Sequence, residues 1–525
     1  MACTLHQAYA MSGIRCLDYI SNSKTALSIL RALTAAVTVN LLVGCATVAP
    51  APSKAQIAPL LIERGIVDPE WLDESSANSI DTPVSPLTPE RAVHAAMMHS
   101  PKLQQVYGEL GLARADILDA VQVSNPRITV ASLAAEGAPG SQFVFGIAAP
   151  LVDLMTLPSK ARLAQLGYEQ ARYELAGAIL GVSLDVEADW YRYIGARQIA
   201  KMRAAIAEAL GASADLAQRF YDAGNITVVQ LNREKAAASE ARIAAARAAV
   251  AAREAQLDLN LTMGVAGKAA EWTAEESLPL PVAQEDDVKM LHQIAAANSL
   301  ELLSAAKGAE VAAGAARMAQ RFRLLGTTWV GFDREREVDR SVIRGPTLDL
   351  ELPIFNRGTA RVARAEAQHS LAEARLQLAR LATANNIDSA AERVRVMRDI
   401  VALYREALVP AREAVARNSQ LEQNFALIGE FEVLRARADE YDAYQGLLEA
   451  VRDYWLARIE LSRLVGSRMP SDAQVRKETP TLHELEGRST IREEDERHPA
   501  HHHSVAPEAP ASATADQSSH HHHQE

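Results

Sequence analysis

The chain has 525 residues, a formal net charge of −12 and an aromatic content of only 5%. The acidic balance argues against nucleic acid as a partner, because no basic surface is offered to phosphates. Long segments rich in Ala, Leu, Glu, Gln and Arg favour long, closely packed helices over one compact globule. The three cysteines, Cys3, Cys16 and Cys45, all lie in the first tenth of the chain. The body of the sequence therefore offers no thiol for a disulfide or a zinc–thiolate site.

The N-terminal segment has the pattern of a lipoprotein signal. Residues 32–44 form an apolar run that follows basic residues and is too short to span a bilayer, as is typical of a signal-peptide core. The run closes on Leu42-Val43-Gly44-Cys45, which is typical of a bacterial lipobox. We therefore predict a signal peptide over 1–44, lipidation (palmitate) of Cys45 and an extended N-terminal tether over 45–87. An uncleaved anchor is the alternative, and both Met1 and Met11 are candidate start sites.

Helix signals begin immediately after this tether. Thr88 followed by Pro89 predicts an N-cap and the first residue of a helix that continues to about Val121. Ser124-Asn125-Pro126 ends that helix, and two short strand candidates follow, joined by a turn rich in glycine and proline. The predicted elements after the first helix are strands at 127–135 and 142–149 and helices at 159–221 and 229–263.

The same order recurs in the second half of the sequence. It predicts a helix at 285–321, strands at 325–332 and 346–352, a helix at 357–424 and a last helix from about 430 to 464. Matching residues lie at a nearly constant offset: Pro150 with Pro353, Ala171 with Ala374 and Leu231 with Leu434 at 203 positions, and Ser100 with Ser299 at 199. This offset predicts an internal duplication. The predicted units are residues 88–283, residues 284–466 and a disordered His-rich tail over 467–525.

Helix length and strand patterning together suggest a duct. Each long helix of about 65 residues would be roughly 100 Å long at 1.5 Å per residue. Residues 347–352 alternate strictly, with leucines on one face and Thr, Asp and Glu on the other. A half-buried strand of a soluble sheet is the alternative explanation. Four strands per chain cannot cover their own edges, however, whereas several chains could close them into a membrane barrel with leucines facing lipid and polar residues facing a wet lumen.

Three segments resemble TolC-like outer-membrane factors. They are Leu352-Pro353-Ile354-Phe355-Asn356-Arg357-Gly358, Ser124-Asn125-Pro126 and Ala223-Gly224-Asn225-Ile226-Thr227, within a similarity that covers residues 88–466. The resemblance implies a mainly α fold with a small membrane β-barrel. It also implies a homotrimer with a 12-stranded barrel in outer-membrane lipid, a helical tunnel across the periplasm, a periplasmic adaptor and an inner-membrane efflux pump. The lipobox and residues 425–431 look most like the metal or solvent efflux subgroup.

The resemblance also places adaptor docking at the two helical turns far from the strands. The predicted docking residues are Gly224, Asn225, Ile226, Thr227, Val228, Leu427, Ile428, Gly429, Glu430 and Phe431. Leu427 stands opposite Gly224 at the 203-residue offset, so the second turn lacks the expected glycine. Burial of the apolar members inside the same subunit is the alternative explanation.

Histidines are the main chemical signal in the sequence. Eight of the 14 lie near the C-terminus: His498, His501, His502, His503, His520, His521, His522 and His523. Clustered imidazoles favour transient Cu, Zn, Ni or Co binding and suggest heavy metals as cargo. No catalytic motif is found, so we predict a non-enzyme with no required cofactor. The alternatives are a duct for organic solvents or drugs and a periplasmic coiled-coil adaptor or scaffold lipoprotein.

Overall fold

The computed structural model describes residues 54–66, 85–122, 124–134, 140–473, 477–481 and 484. The first half contains helices α1 (Lys54–Glu63), α2 (Pro89–His99) and α3 (Pro101–Val121), strands β1 (Arg127–Ala134) and β2 (Ser141–Pro150), and helices α4 (Leu151–Asp222) and α5 (Val228–Met263). The second half contains helices α6 (Val288–Asn298) and α7 (Leu300–Arg321), strands β3 (Thr328–Arg336) and β4 (Val342–Leu350), and helices α8 (Thr359–Leu403), α9 (Val409–Asn424) and α10 (Glu430–Val465). From α2 onward, the second half thus repeats the element order of the first.

The long helices set the dimensions of the protein. The 72 residues of α4 correspond to about 108 Å, and the rod formed by α8 and α9 to about 100 Å. One turn of π-helix, Tyr404–Leu408, separates α8 from α9 and has no counterpart in α4. Because each long helix starts beside the sheet and ends at a turn, the sheet and the two turns lie at opposite ends of the rods.

Several predicted boundaries differ from the structure. The helix predicted to begin at Ser159 begins at Leu151 and runs through Pro158, which has no N–H to donate to the preceding turn. The helices predicted at 88–121 and 285–321 are each divided, at Ser100, where the backbone is extended, and at Ser299. The fourth strand ends at Leu350 rather than at residue 352. Thr88 caps α2 as predicted, since its Oγ1 accepts a hydrogen bond from the Arg91 N–H at 3.3 Å.

The core is centred where α4 packs against α10. Tyr191 stacks on Trp455 with ring centroids 5.2 Å apart, and the buried Trp190 donates through its indole N–H to the Leu87 carbonyl at 2.9 Å. Trp455 donates in the same way to the Pro279 carbonyl at 2.6 Å. These bonds tie the segments before α2 and after α5 to the two central helices.

A buried ionic cluster fixes the residues that follow α10. The side chain of Arg458 is only 2% exposed and binds Glu285 and Asp472, the latter at 2.9 Å. Burial by itself would lower the pKa of Arg458, but the carboxylates of Asp472 and Glu285 outweigh it and raise that pKa. Ser471 also bonds to Arg458, at 2.6 Å. The C-terminal end of the body is therefore held against the linker between the two halves.

Two segments predicted to be extended or disordered contain ordered structure. The segment predicted to be disordered from residue 467 includes the short helix Pro470–Ala473, and its Thr479 N–H donates to the Leu278 carbonyl at 2.8 Å. The tether predicted over 45–87 contains α1, in which Ile57 and Leu61 are fully buried. Helix α1 has only 10 residues, so its apolar pattern is too short to distinguish it in the sequence from a linker rich in Ala and Pro.

Glycines end α5 and α10 at equivalent places. Gly264 and Gly466 adopt left-handed backbone conformations, with φ values of 74° and 79°. A Cβ at Gly466 would lie 2.7 Å from the Asn298 carbonyl oxygen, and one at Gly264 would lie 2.5 Å from that of His99. Each glycine thus lets a long helix end against the break between two short helices.

We expect Gly466→Ala to destabilise the body by about 2–4 kcal/mol, because left-handed strain and an overpacked backbone contact add together. Gly224→Ala is the matched control, since Gly224 has φ 78° and a methyl group added there would have nothing within 4 Å. That control should cost only about 1 kcal/mol. Thermal unfolding of the two purified variants measures the difference, and equal losses would show that the contact with Asn298 is unimportant.

Candidate functional site: an amphipathic sheet and two helical turns

The four strands form one antiparallel sheet in the order β1-β2-β3-β4. The two halves of the chain meet in it, since β2 pairs with β3 and Ile147 lies opposite Phe332. Within the described residues, β1 and β4 each pair on one side only. The sheet consequently has two open edges, which are the usual sites of pairing with another chain.

One face of the sheet is apolar and exposed. The strand register places Phe145 beside Val130, Ile147 beside Ile128 and Leu348 beside Val330. Leu348 is 64% exposed, and the other apolar side chains on this face are also exposed. A contiguous apolar face of this kind on a single chain indicates contact with lipid or another protein.

The opposite face carries the acidic side chains of the sheet, together with Arg127 and the exposed apolar residues Leu133 and Ile343. Asp333 lies opposite Gly146, and Thr347 opposite Gly331. The carboxylate of Asp333 occupies space that a Cβ at Gly146 would fill, so this glycine makes room for the acidic side chain. Asp349 lies on the same face, and the predicted separation of Leu348 and Leu350 from Thr347 and Asp349 is confirmed. Glu351 and Leu352, which the sequence pattern assigns to the same strand, lie beyond the end of β4.

The first helical turn connects α4 to α5. Gly224 is in the left-handed region with φ 78°, and the Asn225 N–H donates to the Phe220 carbonyl at 2.8 Å. Thr227 then caps α5 by accepting a hydrogen bond from the Gln230 N–H at 3.2 Å. This closing and reopening of the helix within a few residues produces a tight reversal.

The second turn has the same geometry with a different residue at its centre. The Leu427 N–H donates to the Glu422 carbonyl at 2.9 Å, and Ala426 takes the left-handed position with φ 55°. Ala426, and not Leu427, is therefore the structural equivalent of Gly224. The offset is 202 at the turns, so the predicted match of Leu231 with Leu434 is wrong: the buried counterpart of Leu231 is Val433.

The two turns lie side by side. The ring of Phe220, at the end of α4, meets that of Phe431, at the start of α10, edge to face with centroids 6.1 Å apart. Among the predicted docking residues, Ile226, Ile428 and Phe431 are half-buried, whereas Gly224, Asn225, Thr227, Val228, Leu427, Gly429 and Glu430 are exposed. Burial within the subunit thus accounts for part of the apolar set but not for Val228 and Leu427.

Sequence reasoning did not include among the docking residues the most exposed large apolar side chain at the turns. Phe425 is 76% exposed and directly precedes the second turn, where Leu427 is 73% exposed. Phe425 opens the same apolar run as the predicted docking residues, so its position at the helix end was the available signal.

Cys45 and the eight C-terminal histidines lie outside the described residues. Within the described residues, no helix is both long enough and apolar enough to cross a membrane.

Solved structures of outer-membrane proteins share this fold. VceC from Vibrio cholerae has a TM-score of 0.60 at 14% identity and covers 72% of this chain and 96% of its own. The CmeC outer membrane channel of Campylobacter jejuni has a TM-score of 0.61 at 12% identity, covering 77% and 89%. The open-state MtrE outer membrane channel of Neisseria gonorrhoeae has a TM-score of 0.56 at 15% identity, covering 73% and 90%.

The chain therefore has the fold of outer-membrane channels. Among such folds, it has the one expected of a TolC-like outer-membrane factor: two helix-strand-strand-helix halves that share one sheet. The sequence itself matches no protein-family model and no curated protein. The similarity is consequently one of three-dimensional structure.

Proposed function

We propose that the protein is the outer-membrane component of a tripartite efflux system, a passive exit duct and not an enzyme. The observation that carries this proposal is the sheet, which has an exposed apolar band on one face, its acidic side chains on the other and two open edges. Lipid offers no partners to exposed backbone groups, so such a sheet can enter a membrane only as part of a closed barrel. Three copies would close a barrel of 12 strands.

Exposed apolar side chains on the helices support assembly with further copies. Ile243, Val250 and Leu257 are exposed on α5 at intervals of seven residues, and Leu371 and Leu378 repeat the interval on α8. A seven-residue spacing keeps side chains on one side of a helix and is typical of helix–helix seams. The described subunit leaves both stripes uncovered, which fits a homotrimer with a helical tunnel.

The two turns are the proposed contact with a periplasmic adaptor. They lie about 100 Å from the sheet by the lengths of the long helices. A passive duct has no energy source and needs recruitment by an adaptor and an inner-membrane pump. The exposed Val228, Phe425 and Leu427 provide apolar contacts at the end that would face them.

The cargo is proposed on the sequence alone. The histidine clusters favour heavy-metal ions, with organic solvents or drugs as the alternative. The adaptor or scaffold alternative is disfavoured, because it gives no role to a four-stranded sheet with an exposed apolar face.

The assembly state tests the proposal directly. Outer membranes from cells producing the full chain should yield a detergent-stable trimer that becomes a monomer on heating, and the trimer should conduct ions in a planar bilayer. A protein recovered only as a monomer in the soluble periplasmic fraction would remove the duct proposal.

Cysteine replacement tests the proposed lipid anchor separately. Cys45→Ser should leave an unprocessed precursor, because no other thiol follows the predicted signal peptide. The measurement is precursor size together with incorporation of labelled palmitate. Cys16→Ser is the matched control and should be processed normally. Normal processing of Cys45→Ser would show that the protein is not a lipoprotein.

A further inference from the structure

Three arginines share the apolar face of the sheet. The register places Arg334 directly opposite Arg344, and Arg336 opposite both Phe143 and Val342. Arg334 is also paired with Phe145, which is exposed on the apolar face. The arginines therefore form a rim at the β3–β4 hairpin end of this face, directly above the apolar band.

The acidic side chains of the sheet lie on the other face, which also carries Arg127. Asp333 and Glu335 alternate with the rim arginines along β3 and so lie on the opposite face. The hairpin turn carries Glu337 and Asp339, but among the described residues none of the three rim arginines has an ion pair. Asp339 instead accepts a hydrogen bond from the Ser341 N–H at 2.8 Å. The rim is thus a local excess of positive charge next to apolar side chains.

An anion would relieve the repulsion within this rim. Like charges directly opposite each other on neighbouring strands are destabilising, and Arg334 and Arg344 are such a pair. Guanidinium groups bind phosphate oxygens in a bidentate manner, which favours phosphate over a simple carboxylate. A ligand that also carries hydrocarbon gains contact with the neighbouring apolar band, which free phosphate cannot do.

We propose that Arg334, Arg336 and Arg344 bind the phosphate groups of an anionic lipid in the outer leaflet, with its acyl chains lying on the apolar band. The occupant has a charged phosphate at one end and hydrocarbon at the other, in the same order as the rim and the band. This inference rests on the proposed function, since it requires the sheet to face lipid. The apolar band alone would bind any lipid, whereas the arginines would make this site specific for lipids that carry phosphate.

Lipid binding to the full-length trimer tests the site. The trimer in detergent is titrated with a diphosphorylated glycolipid, lipid A, and with its dephosphorylated form, and bound lipid is counted by native mass spectrometry. We expect the diphosphorylated form to bind at least about tenfold more tightly, because the dephosphorylated form cannot accept the charged hydrogen bonds from the arginines. Equal affinity for the two forms would overturn the proposal.

Variants locate the effect on the rim. Arg334→Gln with Arg344→Gln should abolish the preference for the phosphorylated lipid, whereas Arg334→Lys with Arg344→Lys should keep part of it, since charge remains without the bidentate geometry. Arg393→Gln, an exposed arginine on α8, is the matched control and should bind as the parent does. An unchanged preference in the double Gln variant would show that the phosphate binds elsewhere.

Two further measurements separate this inference from the duct proposal. Trimer yield and bilayer conductance are recorded on the same preparations and should be equal in the parent and the double Gln variant. A conducting trimer without a phosphate preference contradicts only the lipid site, and failure to form a trimer contradicts the duct itself. Displacement of the lipid by millimolar inorganic phosphate would show that the rim is a site for free anions and would also overturn the lipid assignment.

Discussion

Leu348→Arg is expected to abolish assembly of the trimer in the outer membrane. Leu348 lies opposite Val330 in the middle of the apolar band and is exposed in the single subunit. A cation near the bilayer midplane of a barrel costs about 2–4 kcal/mol per copy, and a trimer would carry three. The heat-modifiable trimer band in membranes should therefore disappear while total protein is still detected.

The adjacent residue provides the control for this change. Asp349→Arg introduces the same side chain on the opposite face of the same strand, which would face the wet lumen. That variant should assemble normally and shift the ion selectivity of the conducting trimer away from cations, because an acidic group becomes basic. Equal assembly of the two variants would show that the lipid and lumen faces are assigned wrongly.

Val228→Asp is expected to reduce export by about tenfold or more without changing trimer yield. Val228 is the first residue of α5 and is 50% exposed beside the first turn. Acidic residues are favourable in the first turn of a helix, so the subunit should tolerate the change. A docking contact made through the apolar side chain of Val228 would be lost. Loss of a central interface side chain commonly costs about 2 kcal/mol or more of binding free energy, which corresponds to more than a tenfold loss of affinity.

Val288→Asp, at the start of another helix, is the matched control for Val228→Asp. Val288 is likewise the first residue of a helix, α6, and is 39% exposed, but it lies in the body between the sheet and the turns. Val288→Asp should leave export unchanged. Crosslinking from position 228 to an adaptor in cells gives the direct readout. Intact export by Val228→Asp together with absent crosslinks would place docking elsewhere.

The order of elements can be predicted from the sequence because each element carries a local signal. Pro126 ends the first helical pattern, and Thr88 with Pro89 marks a helix start that the structure contains. The alternation around Leu348 predicts which residues share a face, since strand geometry has a strict period of two. Strand ends are less accurate, because the last hydrogen bond of β4 depends on β3 and not on its own sequence.

What cannot be predicted depends on contacts between distant segments. Nothing local in the sequence joins Arg458 to Glu285, so the ordered residues after α10 resemble the start of a tail. The left-handed position at Ala426 is missed because alanine gives no signal for it, and the offset of 203 points to Leu427 instead. Pro158 indicates a boundary that does not form, since α4 already begins at Leu151 and runs through it.

The difference between Gly224 and Ala426 has a consequence for the symmetry of the end of the duct that carries the turns. If the two turns were identical, a trimer would present six equal sites with nearly sixfold symmetry. They differ at the left-handed residue, and the Phe220–Phe431 contact joins them within one subunit. The six turns would then alternate between two kinds, and so would the grooves between them, one inside each subunit and one between neighbours. Adaptors bound at this end of the proposed trimer would therefore occupy two inequivalent classes of site, three of each, with unequal affinities.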